Sequence, residues 1–291
     1  MDWTGFEPVA SALRRIDTVD GKIVNEYLNI KKLSGVTDGH LYETKRFLKH
    51  YLEYIEFKID KQKSLQYFVY LKDNLSVSTY RKQTYQILKF LRYLKIEWTD
   101  EIKLPSEPTY IPKYISKDEI VKTLKYFEKH KLYSRFKAVI LLGMTSGIRP
   151  KELYQLRMED IELDNRIVYI NHNPNNGQTT KTKKSRVSFF TKEAKQALYE
   201  YLTYFENGCG LKVLFPQIWL ERKFRPTSLR VKHLRKYFSQ EWDRRGGATS
   251  IKKMLMGHSL RKDVDLMHYN CQSEDDLKKI YDKVMGEGSS V

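Results

Sequence analysis

Met256-Gly257-His258-Ser259-Leu260-Arg261-Lys262-Asp263-Val264-Asp265-Leu266-Met267-His268-Tyr269, close to the end of the chain, is a Gly-His turn that runs into a short amphipathic segment and ends by presenting a tyrosine. One tyrosine among 21 carries little by itself. Three basic clusters stand upstream of it, in this order: Thr145-Ser146-Gly147-Ile148-Arg149-Pro150-Lys151-Glu152-Leu153, then Lys181-Thr182-Lys183-Lys184-Ser185-Arg186, then Lys232-His233-Leu234-Arg235. Each is bordered by apolar helix or strand pattern, and the order of the four segments gives the last one its meaning.

A chain of 291 residues, 41% of them apolar, is long for one ordinary core and suits two domains. The 53 Lys and Arg against 36 Asp and Glu leave a net charge of +17, which fits a polyanionic partner, nucleic acid or an anionic membrane surface. No apolar run approaches the roughly 20 residues a membrane span requires, and the first residues lack a signal-peptide core, so a soluble intracellular protein is expected. Cys209 and Cys271 lie far apart without CxxC spacing, which reads as free thiols in a reducing compartment rather than a zinc site or a disulfide framework.

Residues 1–20 hold few periodic apolar positions and read as a tail with one helical turn around Ala10 to Arg15. From Ile23 to Ile96 the pattern is helical. Leu41, Lys45, Leu48, Leu52 and Ile55 share one face, while Tyr85, Leu88, Leu91, Tyr93 and Leu94 crowd another, with Ser76 or Ser78 as a cap. Lys45, Arg46, Lys49, Lys82, Lys89 and Arg92 leave a basic surface beside those faces. Pro105, Pro108 and Pro112 mark an extended linker. Ser116-Lys117-Asp118-Glu119 has capping-box spacing and opens a second domain. Phe136 to Met144 is an apolar helix stopping at Gly147, and Arg166–Ile170 and Arg186–Phe190 read as strands around the Asn173–Gly177 turn. Thr191 caps a helix through Tyr204. Pro226 to Trp242 is helical and ends at Arg244-Arg245-Gly246-Gly247, Ser250 caps a short helix up to Gly257, and Glu274 to Met285 forms a last amphipathic helix.

Together the four segments resemble the catalytic domain of the tyrosine recombinases, the phage and archaeal integrases, over roughly the last 175 residues. The fold this implies is mainly α with a small β-sheet: 1–20 a tail, 21–98 a helical core-binding, SAM-like domain that clamps DNA, 99–113 a linker, and 114–291 the tyrosine-recombinase catalytic domain. Lys45, Lys49, Lys82 and Lys89 would then be DNA-binding residues. The activity implied is site-specific recombination through a covalent 3′-phosphotyrosyl intermediate, with no metal and no small-molecule cofactor. The implied partners are double-stranded DNA attachment sites, in a homotetramer on paired DNA without any membrane, and the place is the cytoplasm, at the nucleoid. The resemblance also gives the tail a meaning. Gly5-Phe6-Glu7-Pro8 can be encoded by GGNTTYGARCCN, which includes a sequence typical of the TψC arm of a tRNA gene, and some archaeal integrases carry their attachment site within their own coding sequence. Codons spelling no tRNA 3′ half would end that idea.

Breaking a DNA phosphodiester in this way takes a nucleophile, cations on the phosphate oxygens and an acid for the departing 5′ oxygen. Arginine suits the second task because its planar fork pairs with two oxygens and never loses its proton. By resemblance Arg149 and Arg235 are the two clamps, and Glu152, one turn on, holds the first. Most of the family pairs the second arginine with a histidine three residues earlier, where this chain has Lys232. At roughly 100° per residue Lys232 lies about 60° round from Arg235 while His233 lies on the far side, so Lys232 is the residue that can share a phosphate. Lysine there is a feature of archaeal members, and His233 stays as the alternative. Lys181, then Lys183, fits the lysine that protonates the leaving oxygen; His258 fits the family's Leu-x-Gly-His motif. Tyr269 is the expected nucleophile, although family members commonly place it a couple of residues nearer the Gly-His, where Met267 stands. Tyr281, the other downstream tyrosine, falls on the apolar face of the last helix and reads as packing.

A viral or plasmid integrase of archaeal type is therefore the expectation. A Xer-like chromosome or plasmid dimer resolvase is the alternative within the family, a type IB topoisomerase shares the same chemistry, and a DNA-binding protein on a decayed recombinase fold is the rival without catalysis.

Overall fold

The computed structural model describes residues 18–107, 109–206, 212–258 and 272–286. Residues 1–17 of the tail, with the expected turn around Ala10 to Arg15, and Cys209, Cys271 and Tyr269 lie outside these residues. The chain divides into two compact units, residues 1–111 and 112–291, and among the described residues no helix is long and apolar enough to cross a membrane.

The first unit is four helices: α1 Gly21–Leu33, α2 Asp38–Tyr54, α3 Lys61–Asn74 and α4 Val77–Tyr93. Asp20 caps α1 by accepting from Ile23 N at 2.9 Å, and Asp60 caps α3 through Lys63 N at 2.7 Å. Ser76 precedes α4, its hydroxyl on that of Thr79 and not on a backbone amide. The buried stripe of α2 is Thr44, Phe47, Leu48, Tyr51, Leu52 and Ile55, the i, i+3, i+4, i+7 spacing of one helical face. Lys45 cannot belong to that stripe and is exposed, as is Tyr85 on α4. Residues 97–104, expected to lead into a free linker from 99, instead close this unit. Glu97–Glu101 forms a 3₁₀ turn, and Trp98, Ile102 and Leu104 pack on the helical core.

The second unit opens on α5 Lys117–Glu128, where the Ser116 hydroxyl and the Glu119 carboxylate exchange capping hydrogen bonds with each other's backbone amides. Its centre is α6 Tyr133–Ser146, whose residues from Ala138 onward are all buried, as a helix apolar on every side requires. It packs on α8 Lys192–Glu206 and α10 Val231–Arg244. Contact with α10 is close: a Cβ at Gly143 would come within 2.8 Å of the Leu234 side chain. Between α6 and α8 the chain forms the short helix α7 Pro150–Leu153 and an antiparallel sheet in the order β1 Ile161–Glu162, β2 Ile167–Ile170, β3 Arg186–Phe189, with Ile170 opposite Arg186. The strand β1 adds to the two the pattern predicts. Helix α9 Gln217–Phe224 was not expected either, and α10 begins at Val231, not at Pro226. The intervening residues are held as a turn: Arg230 Nη1 donates to the carbonyls of Phe224, Thr227 and Leu229, and the Thr227 hydroxyl donates to Phe224 O and Leu229 O. Helix α11 Thr249–Met256 is preceded by Ala248 instead of a capping Ser250.

The last helix, α12 Glu274–Met285, packs on its own unit. Tyr281 and Met285 are buried with Phe189, Phe238, Trp242 and Leu255, and the Tyr281 hydroxyl donates to Thr145 O at 2.9 Å.

Candidate active site

Two helices end in left-handed glycines, and those two ends build the site. Gly147 closes α6 at φ +63 and Gly257 closes α11 at φ +65. At the second, Gly257 N donates to Met254 O at 2.9 Å and His258 N to Lys253 O at 2.9 Å, the paired bonds of a Schellman motif. Helix C-termini expose carbonyls without intrahelical partners and carry partial negative charge, so both attract guanidinium groups. Arg235, from the middle of α10, puts Nη1 on Gly147 O at 2.6 Å and on Met256 O at 2.8 Å. Arg149, delivered just before Pro150 opens α7, puts Nη2 on Gly257 O at 2.5 Å and Nη1 on the Glu152 carboxylate at 2.9 Å. Glu152 Oε2 in turn accepts from Arg149 N at 3.0 Å, fixing the clamp from both ends.

A third guanidinium joins them. Arg186 opens β3 and lies on the same strand face as Ser188, whose hydroxyl donates to Ser146 O at 2.6 Å. It grips both Glu152 oxygens, at 3.1 and 2.7 Å, and places Nε on Leu255 O at 2.9 Å. Glu152 is 3% exposed. Burial alone would raise its carboxyl, yet Arg186 and the amide and charge of Arg149 outweigh that and hold it below the usual carboxylate range.

Three guanidiniums around one carboxylate leave the cluster short of negative charge. Burial, with Arg149 and Arg186 alongside, pushes Arg235 down to about 9, Glu152 offsetting part of it. Burial of its inner side, followed by the charges of Arg235, Arg149, Lys252 and Arg186, lowers His258, whose residue as a whole remains open to solvent. Below its ordinary range His258 is neutral at neutral pH and can offer one N–H and one lone pair. A phosphate entering here would supply the missing negative charge, and Arg235 Nε and Nη2 have no hydrogen-bond partner among the described residues. The site fits an anion by geometry and by charge.

The fold thus brings together Arg149, Glu152, Arg235 and His258 of the residues expected from sequence, and adds Arg186. Lys232 is exposed on the first turn of α10 and Lys181 is exposed on the β2–β3 connection, where Lys183 takes the left-handed φ of +56. No described hydrogen bond or ion pair ties Lys181 or Lys232 to the cluster. His233 is half-buried, not a plain surface residue: its Nδ1 accepts from Arg230 N at 3.1 Å at the start of α10. Burial, then Lys113, Lys232 and Lys236, lower its pKa, with Glu119 opposing. Tyr269 lies outside the described residues.

In the first unit Lys45, Lys49, Lys82 and Lys89 are all exposed. Lys82 pairs with Glu43 at 2.6 Å, Lys49 with Glu53 at 3.7 Å, and Lys89 sits 4.9 Å over the Tyr85 ring. Exposed pairs of this kind contribute under about 1 kcal/mol, so a phosphate can replace the carboxylate at small cost.

Gly147 makes the site sensitive to a single methyl. A Cβ there would come within 2.4 Å of the Phe238 ring, on a backbone that costs an L-residue about 1–2 kcal/mol, with overpacking adding about 1–3 kcal/mol. Gly147→Ala is expected to lower the melting temperature by roughly 10 °C, from the scaling for units of this size. Thermal unfolding followed by circular dichroism checks this, and a shift under about 2 °C would mean that the α6 terminus is not held as described.

The sequence profile of the phage integrase family matches residues 113–276, just over half of the chain, and the protein belongs to that family. Among curated relatives it is 26% identical over 143 residues to tyrosine recombinase XerC of Lactobacillus delbrueckii subsp. bulgaricus, covering 47% of this chain and 46% of that one. It is 28% identical over 152 residues to tyrosine recombinase XerD of Oceanobacillus iheyensis, covering 47% and 50%. The chain spans about half the length of the curated relatives it matches. Among solved structures it resembles a lambda integrase tetramer bound to a Holliday junction, with TM-score 0.66 and 13% identity over 89% of this chain and 83% of that one. It also resembles the Tn1549 transposon integrase in complex with transposon right end DNA, with TM-score 0.61 and 14% identity over 89% and 96%. At these identities the structural likeness is one of fold.

Proposed function

We propose that this chain is a site-specific DNA recombinase that cuts and rejoins duplex DNA through Tyr269. The observation that carries the reading is the pair of guanidiniums, Arg149 and Arg235, held from behind by the carbonyls of two helix ends inside the segment that matches the family. Their remaining N–H groups take the non-bridging oxygens of one phosphate, and His258 adds a neutral hydrogen bond. The Tyr269 oxygen gives its proton to solvent as it attacks phosphorus; the new P–O(Tyr) bond forms as the P–O5′ bond breaks, and Lys181 gives its proton to the departing 5′ oxygen. A free phenol has a pKa near 10, so the surrounding cations must favour phenolate as it attacks. One phosphoester replaces another, and the reverse attack by a 5′ hydroxyl reseals the strand. No bond energy has to be supplied.

The substrate in this reading is a double-stranded attachment site, gripped also by Lys45, Lys49, Lys82 and Lys89, with a homotetramer on paired sites in the cytoplasm. Lys232 in place of the family's histidine retains a cation near the phosphate and supports an integrase of archaeal mobile-element type. A Xer-like dimer resolvase is the second reading, favoured by the names of the curated relatives. A plasmid carrying two directly repeated sites, incubated beside one carrying a single site, separates them, because resolution excises and integration joins.

The chemistry itself is tested with a nicked suicide substrate, from which the short product diffuses away. The expected result is a protease-sensitive, gel-shifted adduct on the 3′ end and a free 5′ hydroxyl on the released strand. Adduct on the 5′ end, or none on any DNA from the element that encodes the chain, would overturn the assignment.

A further inference from the structure

We propose that Arg186 is a positioning residue for this reaction, locking Glu152, and through it Arg149, to the turn that carries His258; the proposal rests on the recombinase reading above. A single guanidinium engages two segments that are distant from it in sequence. It donates to both oxygens of Glu152, 34 residues away, and to Leu255 O, 69 residues away. It also lies directly beneath Gly257, where a Cβ would come within 2.8 Å of its Cζ, Nε and Nη1. The side chain is 11% exposed, and its described donor bonds all point to protein acceptors. Arg186 therefore acts on the phosphate through the groups it aligns.

Among the described bonds, the buried carboxylate that organises one clamp and the helix end that supplies carbonyls to both are joined by two guanidiniums, Arg186 and the clamp Arg149 itself, and of these Arg186 is the one that holds both carboxylate oxygens from the β3 side. Without Arg186, Glu152 would keep Arg149 as its one described ion-pair partner, and Arg149 to Gly257 O would be the one described hydrogen bond left between the α7 start and the α11 terminus. Lysine at this position keeps the charge but has no planar fork, and one ammonium cannot span a carboxylate and a carbonyl on another element. Charge and geometry can be separated on that basis.

The test is Arg186→Lys in the full chain. Affinity for site DNA at fixed salt is expected to stay within about threefold of wild type, because the long-range attraction is unchanged. Single-turnover adduct formation on the nicked substrate is expected to fall roughly a hundredfold, the loss that follows from misplacing reacting groups by about 1 Å. Glu152→Gln should show the same split, and the double variant should fall no more than about threefold below the worse single, since both break one connection. Wild-type cleavage by Arg186→Lys, equal losses in affinity and rate, or multiplicative losses in the double variant would overturn the proposal. If Arg186→Lys does not fold, Glu152→Gln decides, and wild-type cleavage by it is the contrary result. Absence of adduct with the wild-type protein would instead sink the recombinase reading and this one with it.

Discussion

Tyr269→Phe is expected to form no covalent adduct with the nicked substrate, a loss of roughly ten-thousandfold or more in cleavage, of the size seen when a nucleophile is deleted. Phenylalanine keeps the ring and removes the only atom of that side chain that can bond to phosphorus. DNA affinity should remain close to wild type, because the phosphate contacts reside on cations. Tyr281→Phe is the contrasting variant. Tyr281 is fully buried, burial pushes its hydroxyl well above the ordinary tyrosine range, and its proton is on Thr145 O. Its loss leaves that carbonyl unpaired at a cost of about 1–2 kcal/mol, or a few degrees in melting temperature, with cleavage intact. Gel-resolved adduct yields for the two variants, with melting curves alongside, check both expectations. Adduct in Tyr269→Phe that disappears in Tyr281→Phe would reverse the assignment.

Arg235→Ala is expected to slow single-turnover cleavage by about a thousandfold, the upper range for removing one preorganised donor to a developing charge. The reason is specific to how this arginine is held. Both Nη1 protons are engaged by Gly147 O and Met256 O, so the outward donors sit at fixed positions before DNA arrives and need no reorganisation. Arg235→Lys should recover no more than about tenfold of the loss, because an ammonium that keeps the two carbonyls has little left to offer a phosphate. The charge balance sharpens the case. Burial and its two arginine neighbours push Arg235 down to about 9, so an incoming anion relieves repulsion there. Full activity in Arg235→Lys would show that charge alone suffices and that the helix-end geometry is incidental.

What could be read from the chain follows from where the information is local. The capping box at Ser116, the apolar run of α6, the glycine at 147 and the amphipathic α12 all announce themselves within one or two turns, and each appears in the structure where the pattern places it. Helix α9 did not, because eight residues after Pro216 give too short a period to stand out, and the false start of α10 at Pro226 came from missing the Arg230 turn that holds residues 225–230. Arg149, Glu152, Arg235 and His258 were legible as motif residues: Arg149 and Glu152 stand at a helix start after Gly147, His258 follows a Gly turn, and Arg235 lies on an amphipathic helix. Arg186 was not. It closes a run of lysines and its partners lie 34 and 69 residues away, so its part emerges only once β3 is beside α7 and α11. One signal was present: within Lys181-Thr182-Lys183-Lys184-Ser185-Arg186 it is the single arginine, at the first position of a strand. The bond from Arg230 N to His233 depends on the turn that the pattern did not reveal.

A structure of the Tyr269→Phe protein bound to an intact attachment-site duplex tests the central claim most directly. Arg149 and Arg235 should both lie at hydrogen-bonding distance, about 3 Å, from the non-bridging oxygens of one and the same phosphate, with His258 on that phosphate and the ring at position 269 facing it. Guanidiniums resting on different phosphates, or a scissile phosphate away from the Gly147 and Gly257 turns, would contradict the account.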